Sequence, residues 1–190
     1  MFGYNLSNLD QYPSDMPQSV FSHASGNKLI SGLILDVATG TGVYGRRVAG
    51  DERIVYGIDI SLGMLKRGEG YVKREEVENM YFSRADVESL PFKENTFDGC
   101  FVCGSLHLFP DTYKALIEIS RTLKPGALTS IQTFARSGIT KYEFVSRLIF
   151  KQDARVFDIP ILQKIMDDAG FERLEQRVKG LSLWITARKL

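Results

Sequence analysis

Apolar residues along this chain follow two rhythms, short unbroken runs and stretches of helical period, and their alternation predicts strands separated by helices. Strands are expected at residues 33–37, 53–59, 80–85, 97–103, 128–134, 171–178 and 181–187. Residues 44–49 open a short helix, and Ser61 caps a longer one that carries Met64 and Leu65 through Gly68 and Gly70 to about Val77. Asp111 caps a helix whose Tyr113, Leu116, Ile117 and Leu123 keep the i, i+3, i+4 pattern, with Pro125-Gly126 closing it. Residues 140–150 carry a helical face of Phe144, Val145, Leu148 and Ile149. Asp158 and Pro160 start a last helix with Ile161, Leu162, Ile165, Met166 and Ala169 inward, stopped by Gly170. The tight turn Lys179-Gly180 makes the final two strands an antiparallel pair.

Parallel strands must be joined by crossovers of about a dozen residues or more, usually helical, so this order demands a sheet with helices on both faces. The expected fold is α/β: a single doubly wound, mostly parallel, seven-stranded Rossmann-like sheet with an antiparallel last strand. One domain accounts for all 190 residues, with 1–30 as an N-terminal cap segment and 137–158 as a short substrate-side insertion. Sheets of this kind bind ligands beyond the carboxyl ends of their strands, where the strand order reverses.

Three acids fall at that edge. Asp36 ends the first run just before the glycine turn Ala38-Thr39-Gly40-Thr41-Gly42, Asp59 ends the second, and Asp86 follows the third. Carboxylates at successive strand ends suit the hydroxyls and amines of a nucleoside. Gly40-Thr41-Gly42-Val43-Tyr44-Gly45 also matches the dinucleotide pattern G-x-G-x-x-G, which keeps an NAD(P)-dependent oxidoreductase in view. In that motif a pyrophosphate settles on a helix N-terminus. Asp36, four positions before Gly40, opposes a diphosphate and suits an amine-bearing ligand instead.

At this point the chain resembles the class I S-adenosylmethionine-dependent methyltransferases, in particular the small-molecule branch that includes the ubiquinone and menaquinone C-methyltransferases. Five landmarks in order carry the resemblance: Leu35-Asp36-Val37-Ala38-Thr39-Gly40-Thr41-Gly42, Gly57-Ile58-Asp59-Ile60-Ser61 with Met64-Leu65, Ala85-Asp86-Val87 with Leu90-Pro91-Phe92, Leu106-His107-Leu108-Phe109-Pro110-Asp111, and Leu123-Lys124-Pro125-Gly126. The resemblance implies S-adenosylmethionine as cofactor and a small-molecule methyl acceptor as partner. Asp36, Ala38, Thr39, Gly40 and Gly42 would meet its methionine end, and Asp59 both ribose hydroxyls. Ile60 and Met64 would pack on the adenine faces, Asp86 and Val87 would hold its edge, and Cys103 and Gly104 would line the methyl-donating end. His107, near the cofactor edge, is the candidate catalytic base, the alternative being a histidine that only packs or caps the loop before Asp111. The chain departs from the family at Ala38, where glycine is common, at Ala127, where a second glycine follows Pro125-Gly126, and at Gly104 and Leu108, where further histidines often stand. A non-catalytic S-adenosylmethionine-binding module is the remaining alternative.

Composition narrows the partners. Lys plus Arg at 24 against Asp plus Glu at 23 gives a net charge of +1, without the excess of cations that a nucleic-acid partner calls for. No stretch approaches the ~20 apolar residues of a membrane span, and the N-terminus lacks a basic flank with an apolar core, which together read as a cytoplasmic protein. Cys100 and Cys103 stand three apart on a strand, so they point to opposite faces, and no second Cys or His pair completes a metal site. His23 reads as a loop residue of the N-terminal segment. Phe144 and Trp184 read as core, while Tyr142 and Phe150 are candidate walls of the acceptor pocket.

Overall fold

The computed structural model describes residues 31–136 and 156–190. The expected N-terminal cap with His23, the helix at 140–150 with Tyr142, Phe144 and Phe150, and most of the insertion lie outside the described residues.

Seven strands form one sheet. β1 (Gly32–Val37), β2 (Arg53–Asp59), β3 (Met80–Arg84), β4 (Phe97–Cys103) and β5 (Leu123–Phe134) are joined by β6 (Phe171–Lys179) and β7 (Ser182–Lys189) in the order β3-β2-β1-β4-β5-β7-β6. The first five run parallel, and β7 runs antiparallel to both β5 and β6. The doubly wound sheet with an antiparallel last strand is therefore present. Its order reverses between β1 and β4, beyond Asp36 and Cys103, the kind of position at which such sheets bind ligands.

Helices cover both faces. One face carries α3 (Thr112–Thr122) and α4 (Ile159–Asp168), whose Leu116, Ile119, Leu162 and Met166 pack on Leu35, Val37, Cys100, Val102 and Ile131. The other carries α1 (Gly45–Val48) and α2 (Leu62–Arg74), with Val48 and Val72 against Ile34, Val55 and Phe101. Ser61 and Asp111 cap α2 and α3 by accepting from the Met64 and Lys114 amides at 3.4 and 3.0 Å. Successive strand residues alternate faces, so Cys100 enters the larger cluster and Cys103 packs against the smaller one.

Three expectations change in detail. Tyr113, Ile117 and Ile161, placed inward by their spacing, are 46%, 38% and 59% exposed. Each sits one position from the true seam, where Thr112, Leu116 and Leu162 are buried, because a 3.6-residue period leaves flanking apolar positions half turned out. α2 ends at Arg74 rather than near Val77, since Glu76 takes a left-handed φ of +53° that breaks the helix. β5 begins at Leu123, directly after α3, and Lys124-Pro125-Gly126 lies in a register shift between the pairs Phe97↔Leu123 and Gly99↔Leu128.

Candidate active site

The turn after β1 is built by left-handed residues. Ala38, Gly40 and Gly42 take φ of +52°, +59° and +75°. Ala38 bears a steric cost there of about 1 kcal/mol that glycine would not, the physical reason glycine is common at this position. A Cβ added at Gly40 would meet nothing within 4 Å, so the space over the turn is open. At Gly57 a Cβ would lie 2.8 Å from Thr39 Cγ2, and at Gly45 it would lie 2.9 Å from Asp36 Oδ2. The third glycine of the dinucleotide-like pattern thus makes room for Met80 and Asp36, and the helix it opens has only four residues.

Asp36 is 2% exposed. Its Oδ2 accepts from the Thr39 hydroxyl, and the Gly45 amide also bonds the carboxyl. Burial pushes its titration up from 3.8 to about 8, against the opposing pull of those hydrogen bonds, so the ligand-free carboxyl is largely protonated at neutral pH.

Asp59, at the end of β2, has one oxygen accepting from the Gly40 amide and the other from the Ser61 amide, both at 2.8 Å. It ties the glycine turn to the start of α2 and keeps a lone pair on each oxygen for a diol. Beside it Ile60 and Met64 are 65% and 39% exposed, an unusual solvent position for two large apolar side chains at one strand end. Asp86 accepts from the Glu88 amide at 2.9 Å, and its other oxygen has no partner among the described residues. Val87 is half-buried beside it and packs on the larger cluster.

The ends of β4 and β5 form a different surface. Gly104, with φ of +71°, donates its amide to the Gln132 carbonyl at 2.9 Å. Cys103, Gln132 and Phe134 share the sheet face that carries Asp36, as the pairings Asp36↔Phe101 and Cys103↔Gln132 require. Leu106–Leu108 make one 3-10 turn that sets the His107 ring against Phe134, centroids 4.9 Å apart. The imidazole is buried and its Nδ1 has no hydrogen-bond partner among the described residues; burial holds its pKa below the ordinary 6.5, which favours the neutral form at physiological pH. Burial likewise raises the Cys100 and Cys103 thiols, which stay protonated.

Sequence reasoning missed Gln132. Among the described residues its carboxamide makes only a 3.5 Å contact with the Thr133 carbonyl, and its Oε1 lies 3.3 Å from where a Gly104 side chain would begin. The missed signal was its register: pairing 103 with 132 on parallel strands carries position 132 to the same edge and face as Cys103.

The donor set fits an amino-acid-bearing nucleoside: an open glycine turn, a carboxylate with free lone pairs for a diol, apolar side chains beside it, and a buried acid near the turn. A pyrophosphate fits poorly, because the turn leads into a helix of only four residues, too short for a strong N-terminal dipole. Among the described residues no three His, Cys, Asp or Glu side chains cluster as metal ligands.

Comparison with known proteins agrees with this geometry. The family model described as methyltransferase domain matches residues 35–131. A demethylmenaquinone methyltransferase of Bacteroides fragilis is 34% identical over 153 residues, 77% of this chain and 60% of that protein. An uncharacterized chloroplastic methyltransferase of Arabidopsis thaliana is 28% identical over 184 residues, 92% of this chain and 50% of that one. The chain spans about half the length of the curated relatives it matches. Among solved structures, a SAM-dependent methyltransferase from Aquifex aeolicus superposes with a TM-score of 0.74 at 20% identity, covering 97% of this chain and 98% of that one. The cyclase SpnF superposes at 0.78, also at 20% identity, covering 93% and 80%. The chain belongs to the methyltransferase domain family.

Proposed function

We propose that this protein transfers the methyl group of S-adenosylmethionine to a small-molecule acceptor held beside the ends of β4 and β5. The observation that carries the reading is one sheet edge on which partnered acids flank an open glycine turn while the neighbouring strand ends keep an imidazole whose Nδ1 has no hydrogen-bond partner among the described residues. Asp36, Ala38, Thr39, Gly40 and Gly42 would hold the methionine end, Asp59 the ribose, Ile60 and Met64 the adenine faces, Asp86 and Val87 its edge, and Cys103 and Gly104 the reacting end. When bound, the cofactor supplies a sulfonium methyl that an oriented nucleophile can take by in-line displacement. The chain then has to orient the acceptor and exclude water, which supply much of the acceleration in such transfers. His107 has a lone pair ready at neutral pH to draw a proton from the acceptor.

In this reading the acceptor is an electron-rich ring of the quinol type, supported by the demethylmenaquinone methyltransferase among the relatives and by apolar Phe134 and Leu108 beside His107. The protein works in the cytoplasm, where its two free thiols stay reduced.

Release of S-adenosylhomocysteine from S-adenosylmethionine and demethylmenaquinol, beside phenol, amine and carboxylate acceptors, tests the proposal. Turnover with the quinol is expected, turnover only with another acceptor refutes the quinol assignment, and cofactor binding without turnover on any acceptor favours a non-catalytic module.

A further inference from the structure

Gln132, two residues from the end of β5, carries a carboxamide that the chain itself hardly uses. Its amide nitrogen leans on the Thr133 carbonyl at 3.5 Å, and its Oε1 has no donor among the described residues. An acceptor oxygen is left over, and it borders an opening. A Cβ at Gly104 would meet only Gln132 Oε1 within 4 Å, at 3.3 Å, so that side of Gly104 is otherwise clear. The left-handed φ of +71° at Gly104 disfavours any residue whose side chain would fill it. The flanks of the carboxamide are aromatic. Phe134 shares its face of β5, and Trp184, read as core in the sequence, stands beside it through the β5–β7 pair Gln132↔Trp184. Gln132, Phe134 and Trp184 are all half-buried, so each keeps a surface that a ligand can touch. The first charged residue along this row is Arg177 on β6, opposite Trp184, and Glu175 takes it up at 2.6 Å. The surface therefore suits a neutral, flat molecule that brings one hydrogen to donate.

We propose that Gln132 is a specificity-determining residue for the acceptor, its Oε1 accepting a hydrogen bond from a hydroxyl on an aromatic ring seated beside Phe134 and Trp184. The proposal rests on the reading of these strand ends as the acceptor side of a methyl transfer. The Thr133 contact holds the amide nitrogen away from the opening, which leaves the oxygen to face it. A ring hydroxyl gives that oxygen a proton to share. An ether or carbonyl oxygen brings only lone pairs and leaves Oε1 unpaired, and a site built to bond a hydroxyl rejects the analogue that lacks it. Gln132 thereby favours the hydroxyl-bearing, reduced form of a quinol-type ring over its carbonyl-bearing, oxidised form. Apolar neighbours exclude water around the bond and raise the cost of leaving it unmade.

Two probes that share a ring and differ in one hydroxyl proton test this: 1-naphthol and its ether 1-methoxynaphthalene. Each is dialysed to equilibrium against the full chain saturated with S-adenosylhomocysteine. Replacing the carboxamide in Gln132→Leu should weaken naphthol binding by about three- to tenfold, while the ether changes by less than about twofold. Gln132→Glu keeps an acceptor oxygen and should keep the wild-type preference for naphthol. Equal loss with both probes in Gln132→Leu, as a merely structural role would give, overturns the assignment. So does an unchanged ratio between the probes, or loss of the preference in Gln132→Glu; in each case the cofactor reading stands. A wild-type complex that binds neither ring overturns the aromatic acceptor as well. Failure of the wild-type protein to bind S-adenosylhomocysteine overturns the cofactor reading beneath it.

Discussion

The two halves of the candidate site treat their polar groups in opposite ways. Beyond β1, β2 and β3 the chain answers its own acids: Asp59 receives the Gly40 and Ser61 amides, Asp86 the Glu88 amide, and Asp36 the Thr39 hydroxyl. Beyond β4 and β5 it leaves polar atoms open, and Ser105 Oγ and His107 Nδ1 are buried with no partner among the described residues. A buried polar atom left unpaired costs roughly 1–3 kcal/mol, so the second half holds an unmet demand that an acceptor molecule can meet. The lesson is a division of labour. In the proposed reading the nucleoside half is shaped before its ligand arrives, and the acceptor half would be completed by it.

Asp59→Ala puts the preformed half under the heaviest load, because it strips the Gly40 and Ser61 amides of their acceptor along with the ribose. Cofactor affinity should fall by about 10²- to 10³-fold, read by calorimetry; a loss below about threefold breaks the claim that this half is built around Asp59. His107→Ala separates the halves: kcat should fall by about 10²-fold while cofactor affinity changes by less than about twofold. For the wild type, the acid limb of kcat should lie below the ordinary imidazole pKa of 6.5, since burial favours the neutral base. An acid limb above that value contradicts the assignment.

Gly57→Ala drives a methyl group into Thr39 and should cost about 1–3 kcal/mol in urea denaturation, with weaker cofactor binding as Thr39 is displaced from Asp36. A pH series isolates Asp36. Its folded pKa of about 8 lies above the ordinary 3.8, so the folded state holds the extra proton and this group's contribution to stability falls as pH rises between those values. The stability slope over that window should be shallower in Asp36→Asn than in the wild type. Ala38→Gly, the mildest change, relieves a left-handed alanine and should gain about 0.5 kcal/mol after the entropy cost of glycine.

Strand ends were legible in the sequence because an apolar run stopping at an acid or a glycine turn is a local signal, and Asp36, Asp59 and Asp86 could be placed without knowing their neighbours. Cys100 and Cys103 were assigned to opposite faces by strand period alone. What stayed hidden was set by contacts distant in sequence. Gln132 meets Gly104 only through the β4–β5 register, and the exposure of Ile161 depends on how α4 lies on the sheet. The protonation of Asp36 depends on its burial and on Asp59 at the end of the neighbouring strand. Lys124-Pro125-Gly126 reads as a helix stop, and only pairing with β4 shows it as an irregularity inside β5.

Equilibrium binding of radiolabelled S-adenosylmethionine to the wild-type protein, with S-adenosylhomocysteine and NADH as competitors, tests the central claim most directly. The account predicts one S-adenosylmethionine per chain, displaced by S-adenosylhomocysteine and untouched by NADH. No saturable binding, or displacement by NADH in place of S-adenosylhomocysteine, would contradict it.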